Sequence, residues 1–216
     1  MPSLRYEQKA FKDGAEIVAG IDEAGRGPLA GPVVAAAAIL PPGFRRHKTL
    51  TDSKQLTEQQ REEIYAELTG MTEFYWAVGI SDVEVIDQYN ILRATWRAMQ
   101  LALEGLYIYP DHVLVDGLRA PLMGVKQTAI VGGDSKSYSI AAASVIAKVT
   151  RDRMMLKIHE QFPQYNFAQH KGYATPEHLA ALQRHGPSPV HRKSFAPVWQ
   201  TIEPVQVEFP VVAALL

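Results

Sequence analysis

Four carboxylates, each close to glycine in the sequence, are the residues best suited to chemistry: Asp22, Glu23, Asp116 and Asp134. Hard cations such as Mg²⁺ prefer oxygen ligands and need only one or two protein carboxylates each. Two such ions, about 3.5–4 Å apart, can hold both the attacking and the leaving oxygen of a phosphodiester. The spacing leaves two interpretations open: a shared metal site, or separate acids in solvated turns.

No other catalytic pattern competes with these acids. The chain has no cysteine, which excludes disulfides, thiolate nucleophiles and cysteine-ligated zinc. It also lacks a G-x-S-x-G elbow, a Walker loop and an H-E-x-x-H helix. The glycine-rich stretch at 20–27 does not have the dinucleotide-binding spacing, so a Rossmann-type site is not expected.

The acids are predicted to stand at the ends of strands. Strand patterns occur at 16–22, 33–40, 74–80, 112–116 and 125–131. The short link between the first two predicts an antiparallel pair. Strands that first follow one another and then alternate with helices predict an α/β fold with a mixed sheet.

Helices are predicted from their capping patterns. Thr57 and Gln60 form a capping box that opens a helix ending near Gly70, and the pattern at 81–84 opens a second, with Ser81 in the cap position. Asn90 is the expected cap of a longer helix, with apolar residues at helical spacing: Leu92, Trp96, Met99 and Leu103. An alanine-rich amphipathic helix is expected over 137–161, and another helix over 176–185.

Composition permits a nucleic-acid partner without requiring one. The 216 residues fit one domain, are 47% apolar and carry a net charge of −1. Residues 51–111 contain 4 basic and 11 acidic residues, whereas residues 134–195 contain 9 basic and 4 acidic residues. A basic segment can form a positive face on a neutral protein, although the charges could equally be dispersed. The longest apolar run, 33–40, is far shorter than the roughly 20 residues of a membrane span, so a soluble, cytoplasmic protein is expected.

Six motifs in order give the chain its family resemblance. The longest is GIDEAGRGPLAGP at 20–32; it is followed by DSK at 52–54, VDG at 115–117, GDS at 133–135, AAASVIAKVTRD at 141–152 and HKGY at 170–173. Together they resemble bacterial ribonuclease HII, and the resemblance covers about residues 16–198.

The resemblance implies a ribonuclease H-like fold, a mixed β-sheet flanked by helices, with a small helical C-terminal extension. It implies a catalytic domain over 1–198, including a helical part at about 162–198, and a tail at 199–216. The quartet Asp22, Glu23, Asp116 and Asp134 would bind two Mg²⁺ or Mn²⁺ ions. A monomer would hydrolyse the RNA strand of RNA–DNA hybrids, and cut at ribonucleotides embedded in duplex DNA, leaving a 5′-phosphate and a 3′-hydroxyl.

The same resemblance assigns substrate contacts. Gly25, Arg26 and Gly27 would contact the 2′-hydroxyl and backbone at the cut, and Tyr173 would lie against the nucleotide on the 3′ side. The 2′-hydroxyl distinguishes RNA from DNA, and glycine lets a backbone approach it closely. Taken without the resemblance, the three residues are an ordinary turn and Tyr173 is a packing residue.

Basic residues near the motifs are candidate phosphate contacts: Lys54, Lys148 and Lys171. Ser144 and Lys148 lie one helical turn apart and share a face, which could bind substrate or belong to the core. His170 and His191 are assigned no catalytic role.

The tail and the rival functions leave alternatives. Residues 199–216 contain two acids and no Lys or Arg, which argues against a grip on phosphate. Their apolar end would dock on its own domain, or serve as a peptide for a replication clamp, for which 206–209 is a weak cue.

Rival functions are a hybrid-binding module without turnover, which should have lost an acid, and a junction resolvase, which would not need Gly25–Gly27 or Tyr173.

Overall fold

The computed structural model describes residues 1–45, 47–122 and 124–202. The strands in these ranges are β1 (Val18–Ala24), β2 (Val33–Ile39), β3 (Tyr75–Ser81), β4 (His112–Asp116) and β5 (Lys126–Ile130). The helices are α1 (Arg5–Lys12), α2 (Glu58–Thr69), α3 (Val83–Tyr89), α4 (Ile91–Glu104), α5 (Tyr138–Gln161), α6 (Phe167–His170), α7 (Pro176–His185) and α8 (Ala196–Ile202). Short 3₁₀ turns occupy Ser53–Gln55, Gly133–Ser135 and Pro163–Tyr165. The clamp cue at 206–209 lies outside the described residues.

The five strands form one mixed sheet in the order β3-β2-β1-β4-β5. β1 pairs antiparallel with β2, as predicted, and parallel with β4. β3 pairs antiparallel with β2, and β5 pairs parallel with β4. The predicted mixed sheet flanked by helices is confirmed. Because β1 and β4 are parallel, their carboxyl ends lie side by side at one edge.

Helices cover both faces of the sheet. Residues of β2 alternate between them, with Ala35 and Ala37 in the cluster that contains α4, and Ala36 and Ala38 in the cluster that contains α5. A strand covered on both sides has no solvated face, which explains why β2 is apolar at every position.

Two glycines let the helices approach the sheet closely. A Cβ at Gly20 in β1 would overlap the backbone of Ser139 and Ile140 at the start of α5. A Cβ at Gly79 in β3 would likewise overlap the backbone of α4. The first contact sets the start of α5 directly against the strand that carries Asp22.

The predicted helix caps are confirmed at two of three positions. Thr57 Oγ1 accepts from Gln60 N at 3.2 Å, and Gln60 Oε1 accepts from Thr57 N at 2.9 Å. Asn90 Oδ1 accepts from the backbone amides of two residues in the first turn of α4. The predicted cap at Ser81 is wrong. Ser81 ends β3 opposite Val33, and Asp82 Oδ1 caps α3 instead.

Two other helix predictions need correction. Of the apolar residues predicted along α4, Leu92 is 43% exposed, whereas Met99 and Leu103 are buried together with Ala94 and Ala98. The first half of α5 is not amphipathic: all residues from 138 to 147 are buried. The sheet packs on one side of it, and α2 and α1 close much of the rest.

Helix α1, absent from the sequence-based prediction, secures the start of α5. Glu7 is buried, and its Oε1 accepts from Ser137 Oγ at 2.6 Å, Ser139 N at 2.9 Å and Ser139 Oγ at 2.8 Å. Across the described ranges, no helix has the length and hydropathy needed to cross a membrane.

Candidate active site

Three predicted acids meet at the carboxyl edge of β1 and β4. Asp22 lies in β1, Asp116 is the last residue of β4, and Asp134 lies in the 3₁₀ turn before α5. Each offers a carboxylate oxygen, and these three oxygens all lie within 4.8 Å of one another. The parallel pairing aligns Ile21 with Val115, and so brings the first two acids to the same level of the sheet.

Hydrogen bonds from the protein already orient the three carboxylates. Asp116 Oδ1 accepts from Gly133 N at 2.6 Å, which ties the end of β4 to the turn that carries Asp134. Asp134 Oδ1 accepts from Ser135 N at 2.8 Å, and Asp22 Oδ1 accepts from Glu23 N at 2.7 Å. Each acid keeps its second oxygen for other partners.

The carboxylates destabilise one another's ionised forms. Burial raises the pKa of Asp22 well above its ordinary value, and the charges of Glu23 and Asp116 raise it further. Burial also raises the pKa of Asp134, with additional contributions from Asp52 and Asp116. A bound cation would remove this repulsion, as expected of a metal site rather than of solvated turn acids.

Glu23 joins the same electrostatic group from its position beside Asp22. Burial raises the pKa of Glu23, and the Asp116 charge adds to the effect, while Arg26 opposes it. Arg26 Nη1 donates to Glu23 Oε1 at 3.2 Å. The structure thus places Glu23 within electrostatic reach of Asp22 and Asp116, although its carboxylate is not among the three whose oxygens converge.

The turn at Ser53–Gln55 adds a cation and a further acid. Lys54 Nζ lies 3.4 Å from Asp134 Oδ2 and 3.9 Å from Asp52 Oδ1. Burial lowers the pKa of Lys54, but the charges of Asp134, Asp52 and Asp22 outweigh it and the net shift is upward. Asp52 was not singled out from the sequence as a site acid. The sequence feature that could have identified Asp52 is its position as the first residue of the DSK motif at 52–54.

The predicted substrate-contact residues around Gly25 also reach the site. Gly25 is buried with a φ of +94°, a left-handed conformation that favours glycine, whereas Arg26 and Gly27 are exposed. A Cβ at Gly27 would lie 3.8 Å from Tyr173 Cε1, and Tyr173 is 45% exposed. Gly27 and the tyrosine ring therefore line one open surface, and Arg26, the residue before Gly27, reaches Glu23.

The remaining candidates differ in their placement. Ser144 Oγ hydrogen-bonds to Ser53 Oγ at 2.9 Å, and the Ser144 hydroxyl acts to lower the pKa of Asp22, against the larger effect of burial. Lys148 Nζ donates to Asp152 Oδ1 at 2.6 Å. Lys171 Nζ donates to the Ala168 carbonyl and lies 3.8 Å from a carboxylate oxygen of Glu58. Ser144 thus touches the acidic cluster, while the ammonium groups of Lys148 and Lys171 bind other protein groups.

Comparison with known proteins identifies relatives over most of the chain. Residues 19–198 match the family model described as ribonuclease HII. The ribonuclease HII of Syntrophus aciditrophicus is 53% identical over 190 residues, covering 88% of this chain and 89% of the relative.

Solved structures agree with this match. The ribonuclease H2 of Pyrococcus horikoshii superposes with a TM-score of 0.72 at 28% identity, covering 86% of this chain and 96% of the other. The ribonuclease HII in a PCNA complex from Archaeoglobus fulgidus has a TM-score of 0.68 at 27% identity, covering 83% and 95%.

Proposed function

The chain belongs to the ribonuclease HII family, and from this premise we propose that Asp22, Glu23, Asp116 and Asp134 are its catalytic, metal-binding carboxylates. The family makes the chain a nuclease that acts on RNA–DNA hybrids. The convergence of the three aspartates, with Glu23 beside them, is the observation that carries the proposal.

The donor set fits hard divalent cations. All the candidate ligands are carboxylate oxygens, which Mg²⁺ and Mn²⁺ accept. The raised pKa values of Asp22 and Asp134 support a site whose negative charge is neutralised by bound cations. Two bound ions would supply an activated water and stabilise the departing 3′ oxygen. We propose Mg²⁺ or Mn²⁺ as the ions, and a 5′-phosphate and a 3′-hydroxyl as the products.

The protein's own groups position the substrate around this centre. Arg26 restrains Glu23 through their hydrogen bond, and the Ser144 hydroxyl favours the ionised form of Asp22. Lys54, with a side chain 76% exposed, can move from Asp134 to a phosphate once cations neutralise the acids. The open surface of Gly27 and Tyr173 would take the ribose and the neighbouring nucleotide.

A duplex with one embedded ribonucleotide tests this function. Purified protein should cut it with Mg²⁺ or Mn²⁺ and not with EDTA, and should leave an all-DNA duplex intact. Tight hybrid binding without cleavage in either ion would instead support the non-catalytic binding module. Equal cleavage of a four-way DNA junction would support a resolvase.

We also propose that the protein is a monomer, and that its tail docks on its own domain or, as the alternative, serves as a docking peptide for a replication clamp. The support for a clamp is the complex of the Archaeoglobus fulgidus relative with PCNA. Deleting residues 203–216 should abolish clamp binding and leave cleavage by the isolated enzyme unchanged. A lower melting temperature after the deletion would favour docking of the tail on its own domain.

A further inference from the structure

Arg151 and Arg192 are the largest fully buried side chains in the described part of the protein, at 1% and 0% exposure. Burial lowers the pKa of Arg192 to about 9, and the charge of Arg151 contributes to that shift. Burial likewise lowers the pKa of Arg151 to about 10. Neither guanidinium forms an ion pair with a carboxylate among the described residues. Two buried positive charges without such partners are costly, so their hydrogen bonds must compensate.

Both guanidinium groups bind backbone carbonyls of the glycine loop, residues 25–32. Arg192 donates to the carbonyls of Gly25 at 2.6 Å, Arg26 at 2.9 Å, and Gly31 at 3.0 and 2.8 Å. Arg151 donates to Ala30 at 3.1 Å and Pro32 at 3.0 Å, and also to Lys171 outside the loop at 3.0 Å. The side chains of the two arginines therefore bind the inner side of the loop at both of its ends, residues 25–26 and 30–32.

Gly25 is the residue that admits this arrangement. A Cβ at Gly25 would overlap Nε and Cδ of Arg151, and the φ of +94° is itself strained for any other residue. Glycine is therefore required here by the buried arginine as well as by any close approach of substrate.

The inward carbonyls determine where the loop amides point. In a trans peptide the carbonyl and the following N–H point in opposite directions. Because the carbonyls of Gly25 and Arg26 bind Arg192 inside, the amides of Arg26 and Gly27 point outward, and both residues are exposed. Neither amide meets a hydrogen-bond acceptor in the portion of the chain that the structure describes.

We propose that Arg151 and Arg192 are positioning residues that hold the glycine loop with its carbonyls inward, so that the amides of Arg26 and Gly27 are presented to the ribose and phosphate at the cut. The two buried charges also make the potential beneath the loop positive, which favours an anion above it. This inference rests on the proposed function, and adds to it the residues that set the preference for a ribonucleotide.

Lysine substitutions test the proposal because they keep the charge and remove the planar set of donors. Arg192→Lys and Arg151→Lys should raise KM for the single-ribonucleotide duplex by about tenfold or more, as expected for the loss of charge-assisted hydrogen bonds. The inhibition constant of an all-DNA duplex in the same assay should stay near the wild-type value. Arg153→Lys, an exposed position on the same helix, is the matched control.

A structural role without positioning gives a different result. If folded Arg192→Lys and Arg151→Lys lower the melting temperature but change KM and the inhibition constant by the same factor, or change neither, the proposal is wrong. Circular dichroism and thermal melting establish that each variant is folded before its kinetics are compared.

If the variants do not fold, hydrogen exchange of the wild-type protein tests whether the amides of Arg26 and Gly27 face the substrate. The amides of Arg26 and Gly27 should exchange rapidly in the free protein, and should be protected by a ribonucleotide-containing duplex more than by an all-DNA duplex. Protection of both amides in the free protein would overturn the proposal. Failure of the wild type to cleave would refute the proposed function, while exchange in the free protein would still report how the loop is held.

Discussion

Asp22 is the most strongly perturbed carboxylate of the quartet, which makes it the sharpest single-residue test of the metal site. Asp22→Asn, or Asp116→Asn, keeps the shape and removes one negative charge. We expect cleavage in saturating Mg²⁺ or Mn²⁺ to fall by at least about a hundredfold. The melting temperature near pH 7 in metal-free buffer should not fall, because burial and the charges of Glu23 and Asp116 raise the pKa of Asp22, and either substitution removes one of the interacting charges. Asp13→Asn, at an exposed acid paired with Lys9, is the control. Cleavage by either site variant at nearly the wild-type rate would contradict the assignment of the quartet.

Tyr173 tests substrate choice, since its half-exposed ring lies beside Gly27. Tyr173→Ala should weaken cleavage at a single embedded ribonucleotide more than cleavage of an all-RNA strand in a hybrid. In the second substrate many neighbouring sites can compensate for a lost contact. Tyr173→Phe, which keeps the ring, should lose much less. Equal losses of Tyr173→Ala on both substrates, measured as kcat/KM, would make Tyr173 a general packing residue.

Single residues show both the reach and the limit of sequence reasoning. The acidic residues were identified because three strand or loop ends each carry a carboxylate near glycine, and because the family resemblance assigns the same four residues to metal binding. Arg151 and Arg192 were not predicted because, within the described ranges, all their side-chain hydrogen bonds go to backbone carbonyls, which every residue possesses. The positive excess of residues 134–195 therefore includes two charges that face the glycine loop from inside and not the solvent.

Among the secondary-structure elements, α7 is joined to the segment after it by a pair of buried histidines. His178 Nε2 lies 3.0 Å from His191 Nε2, and His178 Nδ1 lies 2.8 Å from the carbonyl of Tyr173. Ser188 N donates to His191 Nδ1 at 3.0 Å. Only neutral rings fit this chain of hydrogen bonds, and burial, together with the His178 charge, lowers the pKa of His191 to about 4.

These histidines predict a loss of stability in acid. An unfolded histidine titrates near 6.5, so in the window between 6.5 and about 4 protons bind the unfolded chain more tightly than the folded one. The contribution of His191 is therefore complete above pH 6.5 and is lost as the pH falls, by about 3 kcal/mol at pH 4. Urea unfolding across this window should show a shallower pH dependence for His191→Gln than for wild type. His185→Gln, at an exposed position of α7, should keep the wild-type slope. An unchanged slope in His191→Gln would contradict the assignment.

The elements themselves were predictable where the pattern is local. All five strands and the caps at Thr57 and Asn90 follow from periodicity and side-chain chemistry within a few residues. The spacing between layers does not, because it depends on which helix meets Gly20 and Gly79 after folding. The buried surroundings of α5 are a tertiary property of the same kind, and for that reason its first half was wrongly expected to be amphipathic.

Over the whole molecule, the segment after residue 161 is bound directly to the first third of the chain. Leu29 N donates to the Gly172 carbonyl, Gly31 N to the Val190 carbonyl, and Arg192 N to the Leu29 carbonyl, each at 2.8 Å. From these bonds we propose that residues 1–198 form one domain. We expect calorimetry to show one cooperative transition whose calorimetric and van't Hoff enthalpies agree. Two separable transitions would place a domain boundary near residue 162.

The hydrogen bonds from Arg192 to the glycine loop have a consequence for protein synthesis. Arg192 Nη2 and the Gly25 carbonyl that accepts its hydrogen bond are 167 residues apart in the chain. At the roughly 5–20 residues per second of translation, the loop waits about 10–30 s on the ribosome before its partner is made. During that time the acids of β1 and β4 can already have met, while the neighbouring loop still lacks the group that fixes its carbonyls inward. In a nascent chain the proposed metal-binding acids of β1 and β4 would therefore be available before Arg192, and the proposed placement of the loop amides would follow only after Arg192 has been made.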